Sequence, residues 1–401
     1  MLHSWFNRCI TMLLYIAVLL MSLATLVWLT YEFYRLLWQP TQIGSYTVYP
    51  GAIDLKLRHE EIYSWFAGMP VYAEIPTALY PPASYLILWP LFGWLNATSA
   101  IYLWTLTTVA ALVWLIYLVV RQSTAGTRLE RVFVGLIPLS MYSTGAVIGN
   151  GQLLIPILTI LIALMLLVHQ HRGGWLKDLL AAALMLLALV KPNISAPFFW
   201  IVLFIGGYRP AMFIAGGYAA ATLFAASFQK PGIWELLNLW INRAAQKSAV
   251  ASNFSYASIH NWLSGLGLEA WNLLASGLLL VALGIWLHYN RHKDLWLLLG
   301  VTALFARFYT YHLWYDDLLI LLPMVALFRL AKWDPQVNGP NILSGMLLGI
   351  TLVFMIAPGG LHILPNPWDV LYIRTQTILW IVLLVYLLTK SRQQAINLCF
   401  R

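Results

Sequence analysis

Residues 10–28 read Ile10-Thr-Met-Leu-Leu-Tyr-Ile-Ala-Val-Leu-Leu-Met-Ser-Leu-Ala-Thr-Leu-Val-Trp28, a run without a single charged side chain. A helix of this length crosses the hydrocarbon layer of about 30 Å. It lacks a small-residue cleavage site and many similar runs follow, so it reads as a retained first helix and not as a secretory signal. Hydrophobic residues make up 61% of the 401 and charged residues 9%. The fold class this implies is all-α: a polytopic transmembrane bundle of about twelve helices, forming one integral membrane domain over residues 1–401.

What interrupts the hydrophobicity is as informative. After the first helix comes a polar stretch, residues 31–82, holding Asp54, the triad His59-Glu60-Glu61 and, at its end, Tyr80-Pro81-Pro82. Apolar runs then recur from Thr98–Val120 to Val370–Leu388. With Arg8 on the cytoplasmic side, alternate threading places Arg121, Arg128, Arg131, Lys177, Arg209, Arg291, Arg329, Lys332 and Lys390 inside, the expected positive-inside pattern. Both termini are then cytoplasmic. The net charge of +9 follows from that bias and calls for no nucleic-acid partner. Ala83–Leu95, short and broken by Pro90 and Gly93, reads as re-entrant or interfacial. Cys9 and Cys399 stand at opposite ends of the chain, so no disulfide framework is visible.

On this frame the remaining polar residues collect at the outer face. Asp54 could take a proton from an attacking hydroxyl, with a solvated acid or helix cap as the plain alternative. Glu60 and Glu61 read as the polar face of a short surface helix. Lys191, followed by Pro192-Asn193, lies on the side where cations are scarce, and a lysine there suits a phosphate. In Arg307-Phe-Tyr-Thr-Tyr-His-Leu-Trp-Tyr-Asp-Asp317, one cation, one imidazole and two carboxylates stand among five aromatics. Helical spacing would put His312, Tyr315 and Asp316 on one face. A divalent cation there is the weaker reading. Gly149-Asn150-Gly151-Gln152 reads as a tight turn whose amides could bind a sugar. The second large outer loop, residues 229–269, mixes Trp240, Asn253 and His260 in a pattern suited to carbohydrate or lipid headgroups. No phosphate-loop, dinucleotide, zinc or nucleophile-elbow motif is present, which excludes a recognisable nucleotide site.

The ordered set resembles a known family. An outer-loop Asp, Gly68-x-x-x-Tyr72, Tyr80-Pro81-Pro82, Gly149-Asn-Gly-Gln152, Lys191-Pro192, Asn253-x-Ser255 and Tyr311-His-x-x-Tyr315-Asp316 follow one another over about Leu20 to Leu330. The chain is similar to the C-type, polyprenyl-phosphate-dependent membrane glycosyltransferases, and within them to the mannosyltransferase-like glycosyltransferase family 87. The resemblance implies an inverting enzyme of the cell envelope, in a bacterial plasma membrane, acting at the outer face. Its donor would be a polyprenyl-phosphate sugar, mannose-like, and its acceptor a lipid or glycan. It implies Asp54 as base, with Glu60 or Glu61 as alternatives because Ile53-Asp54-Leu55-Lys56-Leu57 departs from the family's aromatic pattern. It implies Lys191 and Arg307 at the lipid phosphate. Tyr80, Asn150, Gln152, Asn253, His312 and Asp316 would line the sugar and acceptor pocket. A transporter or flippase of lipid-linked sugars is the competing class, and the absence of a visible repeat between the halves weighs against it.

Overall fold

The computed structural model describes residues 2–39, 41–43, 46–48, 51–170, 174–249, 257–335 and 337–399. Most of these are helical, joined by turns and loops, and the strands among them form one short antiparallel pair, Thr41–Ile43 with Tyr46–Val48. Among the described residues four helices are long and apolar enough to cross a membrane: Thr11–Leu37, Ala97–Gln122, Glu269–Asn290 and Trp368–Ser391. Their outward faces expose leucine and valine, among them Leu19, Leu106, Leu278 and Val382. No water-facing surface would carry such a band, and lipid is the medium that suits it.

The other apolar runs are shorter or broken. Tyr142–Asn150 and Leu154–His169 make a pair bent by 118°, a fifth span if the two are counted together. Pro192–Gly206, Leu295–Phe308 and Ile342–Met355 fall below spanning length. The expected single run Val132–Ile148 is divided at Met141, whose backbone leaves the helix and bridges to Ile356. The first helix continues past its apolar run to Leu37, so the outer stretch expected from residue 31 begins with about two turns of helix. Ala83–Leu95 holds a seven-residue helix, Pro82–Leu88, ending in the π-helical turn Trp89–Gly93. Those twelve residues rise only about 18 Å, short of the ~30 Å hydrocarbon layer.

The centre is occupied by Leu295–Phe308 and by the 3₁₀-to-α segment Trp314–Lys332, both buried on nearly every side. A helix apolar all round belongs inside such a shell. Leu295–Phe308 packs against Leu321–Lys332 and the C-terminal helix, and the Trp314–Ile320 turn packs against Tyr142–Asn150. The ends of these central elements, together with the breaks in their neighbours, form the walls of a large cavity.

Candidate functional site

The cavity has a volume of about 470 Å³. Its walls come from the start of helix Ile53–Phe66, the turn at Gly151-Gln152, the break at Lys191-Pro192, the helix Ile233–Ala249 and the loop 309–316. Apart from the middle of Ile233–Ala249, these are places where a helix starts or stops.

Two glycines set the acid in place. At Gly51 a Cβ would lie 2.1 Å from the Arg35 carbonyl oxygen, so only glycine lets the chain cross the end of the first helix so closely. Gly151 ends helix Tyr142–Asn150 at φ 71°, in the left-handed region. A side chain there would meet the Cβ atoms of Leu55 and Ala52 at 2.9 and 3.1 Å. This close contact holds the first turn of Ile53–Phe66 against the next residue, Gln152. Gln152 stands beside the Asp54 carboxylate and favours its charged form. The same amide accepts from Lys191 Nζ at 3.4 Å through Oε1. One glutamine therefore neighbours both the acid and the cation.

Lys191 is delivered by a helix stop. Pro192 cannot continue the incoming helix Trp175–Ala188 and begins the next one. The ammonium pairs with Asp316 Oδ1 at 2.8 Å and lies 5.1 Å from the centre of the Tyr315 ring. Asp316 Oδ2 accepts from His312 Nδ1 and from the backbone N–H of Leu313, each at 3.2 Å. His312 is not helical, yet it meets Asp316 as the i, i+4 spacing anticipated. Tyr309, at the head of the same loop, donates from its hydroxyl to the Pro192 carbonyl at 3.1 Å and ties the two breaks together.

The electrostatics follow from this enclosure. Asp54 is half-buried, and burial pushes its carboxyl up from the ordinary value against the Gln152 hydrogen bond and the charges of Arg58 and Lys191. For Lys191, burial acts downward, but the neighbouring Asp316 carboxylate outweighs it and holds the pKa above the usual lysine range. Burial likewise raises the Tyr80 phenol, which stays protonated.

Of the residues singled out in the sequence, Asp54, Lys191, Tyr80, Gln152 and Asp316 line one cavity. His312 stands behind Asp316, outside the lining. Arg307 is also outside it: its Nε donates to Asp317 Oδ1 at 2.6 Å, and Asp317 further accepts from the Tyr142 hydroxyl. Asn150 faces the other way and accepts from Arg35 at 2.7 Å. Glu60 is exposed outside the cavity. Glu61 is fully buried, 2.6 Å from Arg58, and accepts from Thr77 and Tyr85. Burial lifts its pKa to about 7, against the Arg58 charge. Asn253 lies outside the described residues.

Three groups in the wall were not picked out for the site from the sequence. Arg58, one turn after Asp54, faces the cavity with its guanidinium 4.7 Å from the Tyr80 ring centre. In the sequence it is only a cation on an unexpected side. Asn272 and Ser276 begin an apolar helix and carry no signal there. Among the described residues no group of three or more His, Cys, Asp or Glu is arranged to hold a metal ion.

An acid with a raised pKa, a buried cation sharing its amide neighbour, and aromatic rings in one recess can perform a displacement at a phosphate-bearing carbon. Compared with models of known families, residues 78–310 match Glycosyltransferase family 87. No curated protein and no solved structure matches the chain.

Proposed function

The chain belongs to glycosyltransferase family 87 and is a sugar-transferring enzyme, and from that premise we propose an inverting transfer from a polyprenyl-phosphate sugar, mannose-like, to a lipid or glycan hydroxyl. The observation that carries this reading is that Asp54, Gln152 and Lys191 line a single cavity, with Lys191 donating to Gln152. A base and a phosphate-binding cation in one cavity are what an in-line displacement needs.

Asp54 takes the proton from the acceptor hydroxyl as its oxygen bonds to the anomeric carbon. The bond from that carbon to the phosphate oxygen breaks, and its electron pair leaves with the lipid phosphate. Lys191 stabilises the growing negative charge, aided by Arg58 on the next face of the cavity. Arg307 is placed behind Asp317 and serves the fold. Asp316 keeps Lys191 protonated in the free enzyme, and the arriving phosphate competes for the same ammonium. His312 positions Asp316. Tyr80, Tyr311, Tyr315 and Trp240 offer ring faces to the sugar, while Leu57, Ile241 and Leu273 suit the first isoprenoid units.

In this reading the bundle is a plasma-membrane protein with about twelve membrane segments, counting short and broken ones. Both termini are cytoplasmic and the cavity opens at the outer leaflet, where no nucleotide sugar is needed. The test uses purified protein with radiolabelled polyprenyl-phosphate mannose and a lipid and glycan extract, with Asp54→Asn alongside. Transfer by the wild type and its loss in a folded variant support donor and base together. Near wild-type turnover by Asp54→Asn would remove that residue from the role. Movement of lipid-linked sugar between leaflets without transfer would favour a flippase.

A further inference from the structure

The cavity has a second polar pole, opposite in character to the Asp54–Lys191 pair. Asn272 is 2% exposed and lines the cavity, yet neither Nδ2 nor Oδ1 finds a partner among the described residues. His260, 3% exposed and in the same wall, has its Nδ1 unpartnered as well. Its Nε2 lies 3.1 Å from the Asn272 carbonyl and 2.6 Å from Ser276 Oγ. Ser276 gives its own hydroxyl proton to the Tyr309 carbonyl at 2.6 Å. Both groups near Nε2 therefore accept, so the imidazole proton sits on Nε2 and Nδ1 is a bare acceptor. Burial pushes His260 down to about 4, and it is neutral at physiological pH.

We propose that Asn272 and His260 form a hydroxyl-reading subsite that selects a vicinal diol on a sugar ring. The chemistry of the three unpartnered atoms decides the ligand class. Together they offer an NH₂ donor, an amide oxygen and an imidazole nitrogen. A phosphate carries acceptors only and would leave both protein acceptors unanswered. An isoprenoid tail answers none of them. Two neighbouring hydroxyls, each donor and acceptor at once, satisfy all three. A buried amide with no protein partner costs the fold stability, and such a cost is kept where a ligand completes the bonding. The inference rests on the reading of this cavity as a sugar site and adds which residues read the sugar. The ring belongs either to the donor or to the acceptor, and the experiment separates them.

The experiment uses full-length protein in detergent and saturation-transfer NMR with methyl α-mannoside, its 2-, 3- and 4-deoxy analogues, and methyl α-glucoside. Asn272→Leu, Asn272→Ala, His260→Phe and His260→Gln are compared by the same signal and by thermal unfolding. The expected result is glycoside binding by the wild type, weakened about tenfold by Asn272→Leu and Asn272→Ala. Asn272→Leu should also unfold at an equal or higher temperature, because an apolar side chain replaces an unpartnered amide. A merely structural asparagine would lower it. At least one deoxy analogue should lose affinity for the wild type and lose no more in the variant. His260→Gln should retain more binding than His260→Phe. Unchanged binding in both Asn272 variants, or a wild type that binds no glycoside, would overturn the proposal.

Binding of polyprenyl phosphate with and without its sugar is measured on the same samples. If Asn272→Leu erases the difference between them, the donor ring is read. If donor binding is intact and only the acceptor KM rises, the acceptor ring is read. A wild type that binds glycosides but ignores polyprenyl phosphate would sink the donor assignment and leave this subsite standing.

Discussion

The two ends of the central segment Trp314–Lys332 treat charge in opposite ways. At its far end every carboxylate is closed off. Glu130 caps its own helix through the N–H groups of Gly126 and Thr127 and pairs with Lys332 at 2.5 Å. Asp334 meets Lys390 and the Asn341 amide, each at 2.6 Å. Arg329 joins Asp294 at 2.8 Å and the Gln122 carbonyl at 2.5 Å. These contacts staple three loops and the C-terminal helix together. At the cavity end the pairing is incomplete: Lys191 shares one carboxylate, Asp54 leans on an amide, and Asn272 has no protein partner among the described residues. Incomplete pairing weakens a fold, and where it borders a cavity a bound ligand can complete the bonding.

The contrast is sharpest at Asp54. Asp54→Asn should lower transfer by about a thousandfold, within the range attributable to a general base, and leave thermal unfolding unchanged or slightly later. The unfolding shift follows from removing a charge that burial disfavours. Turnover and melting measured on one preparation check both. A joint fall in activity and stability would move Asp54 to the stapling class.

Lysines at the two ends give the next effect. Lys191→Met strands the Asp316 carboxylate, and Lys390→Met strands Asp334, which is fully buried. Each should cost about 3–5 kcal/mol, the usual penalty for an abandoned buried charge. The second substitution then separates them. Lys390→Met with Asp334→Asn should recover stability and full turnover. Lys191→Met with Asp316→Asn should recover stability while transfer stays about a hundredfold down. Denaturant unfolding with turnover per folded molecule provides the reading, and equal recovery at both ends would dissolve the comparison.

How much of this was legible in the sequence depends on how each residue breaks its surroundings. Lys191, Gln152 and Asp316 interrupt apolar runs, Asp54 and Tyr80 stand in the polar stretch after the first helix, and all five meet at the cavity. Asn272 could not be seen, since one amide at the head of Leu273–Leu287 looks like any helix start until the space around it is known. Arg307 and Asn150 stood in the right segments but point to Asp317 and Arg35, a matter of side-chain direction that spacing does not fix. The helical class was plain from hydropathy, but the number of full spans was not. A helix buried in protein, such as Leu295–Phe308, is as apolar as one facing lipid, and a hydropathy window cannot tell the two media apart. Gly151 and Pro192 mark two of the breaks, and both line the cavity.

Acidity offers a smaller and more selective effect. Asp54 must be ionised to accept a proton, and its folded-state pKa lies above the ordinary carboxylate value. Transfer should therefore fall as pH drops through that raised value, giving an acid limb at higher pH than a free aspartate would. The hydrogen bond from Gln152 acts downward on this pKa, so Gln152→Leu should move the limb further up. The pH dependence of kcat/KM in the two proteins checks the direction, and a limb that stays or moves down would separate Asp54 from the proton transfer.

The smallest effect belongs to the far end. Arg329 and Asp294 form a partly exposed pair, with 24% and 42% of their side chains accessible. Water and salt screen such a pair, which is worth at most about 1 kcal/mol. Arg329→Gln keeps a donor for the Gln122 carbonyl and gives up only the charge. Unfolding should shift within that margin, turnover should not change, and raising the ionic strength should shrink the difference further. A loss of transfer in this variant, at a distance of about a dozen helical residues from Asp316, would mean that the two ends are coupled through the central segment. The division between a stapled end and an open end would then describe two positions of one lever.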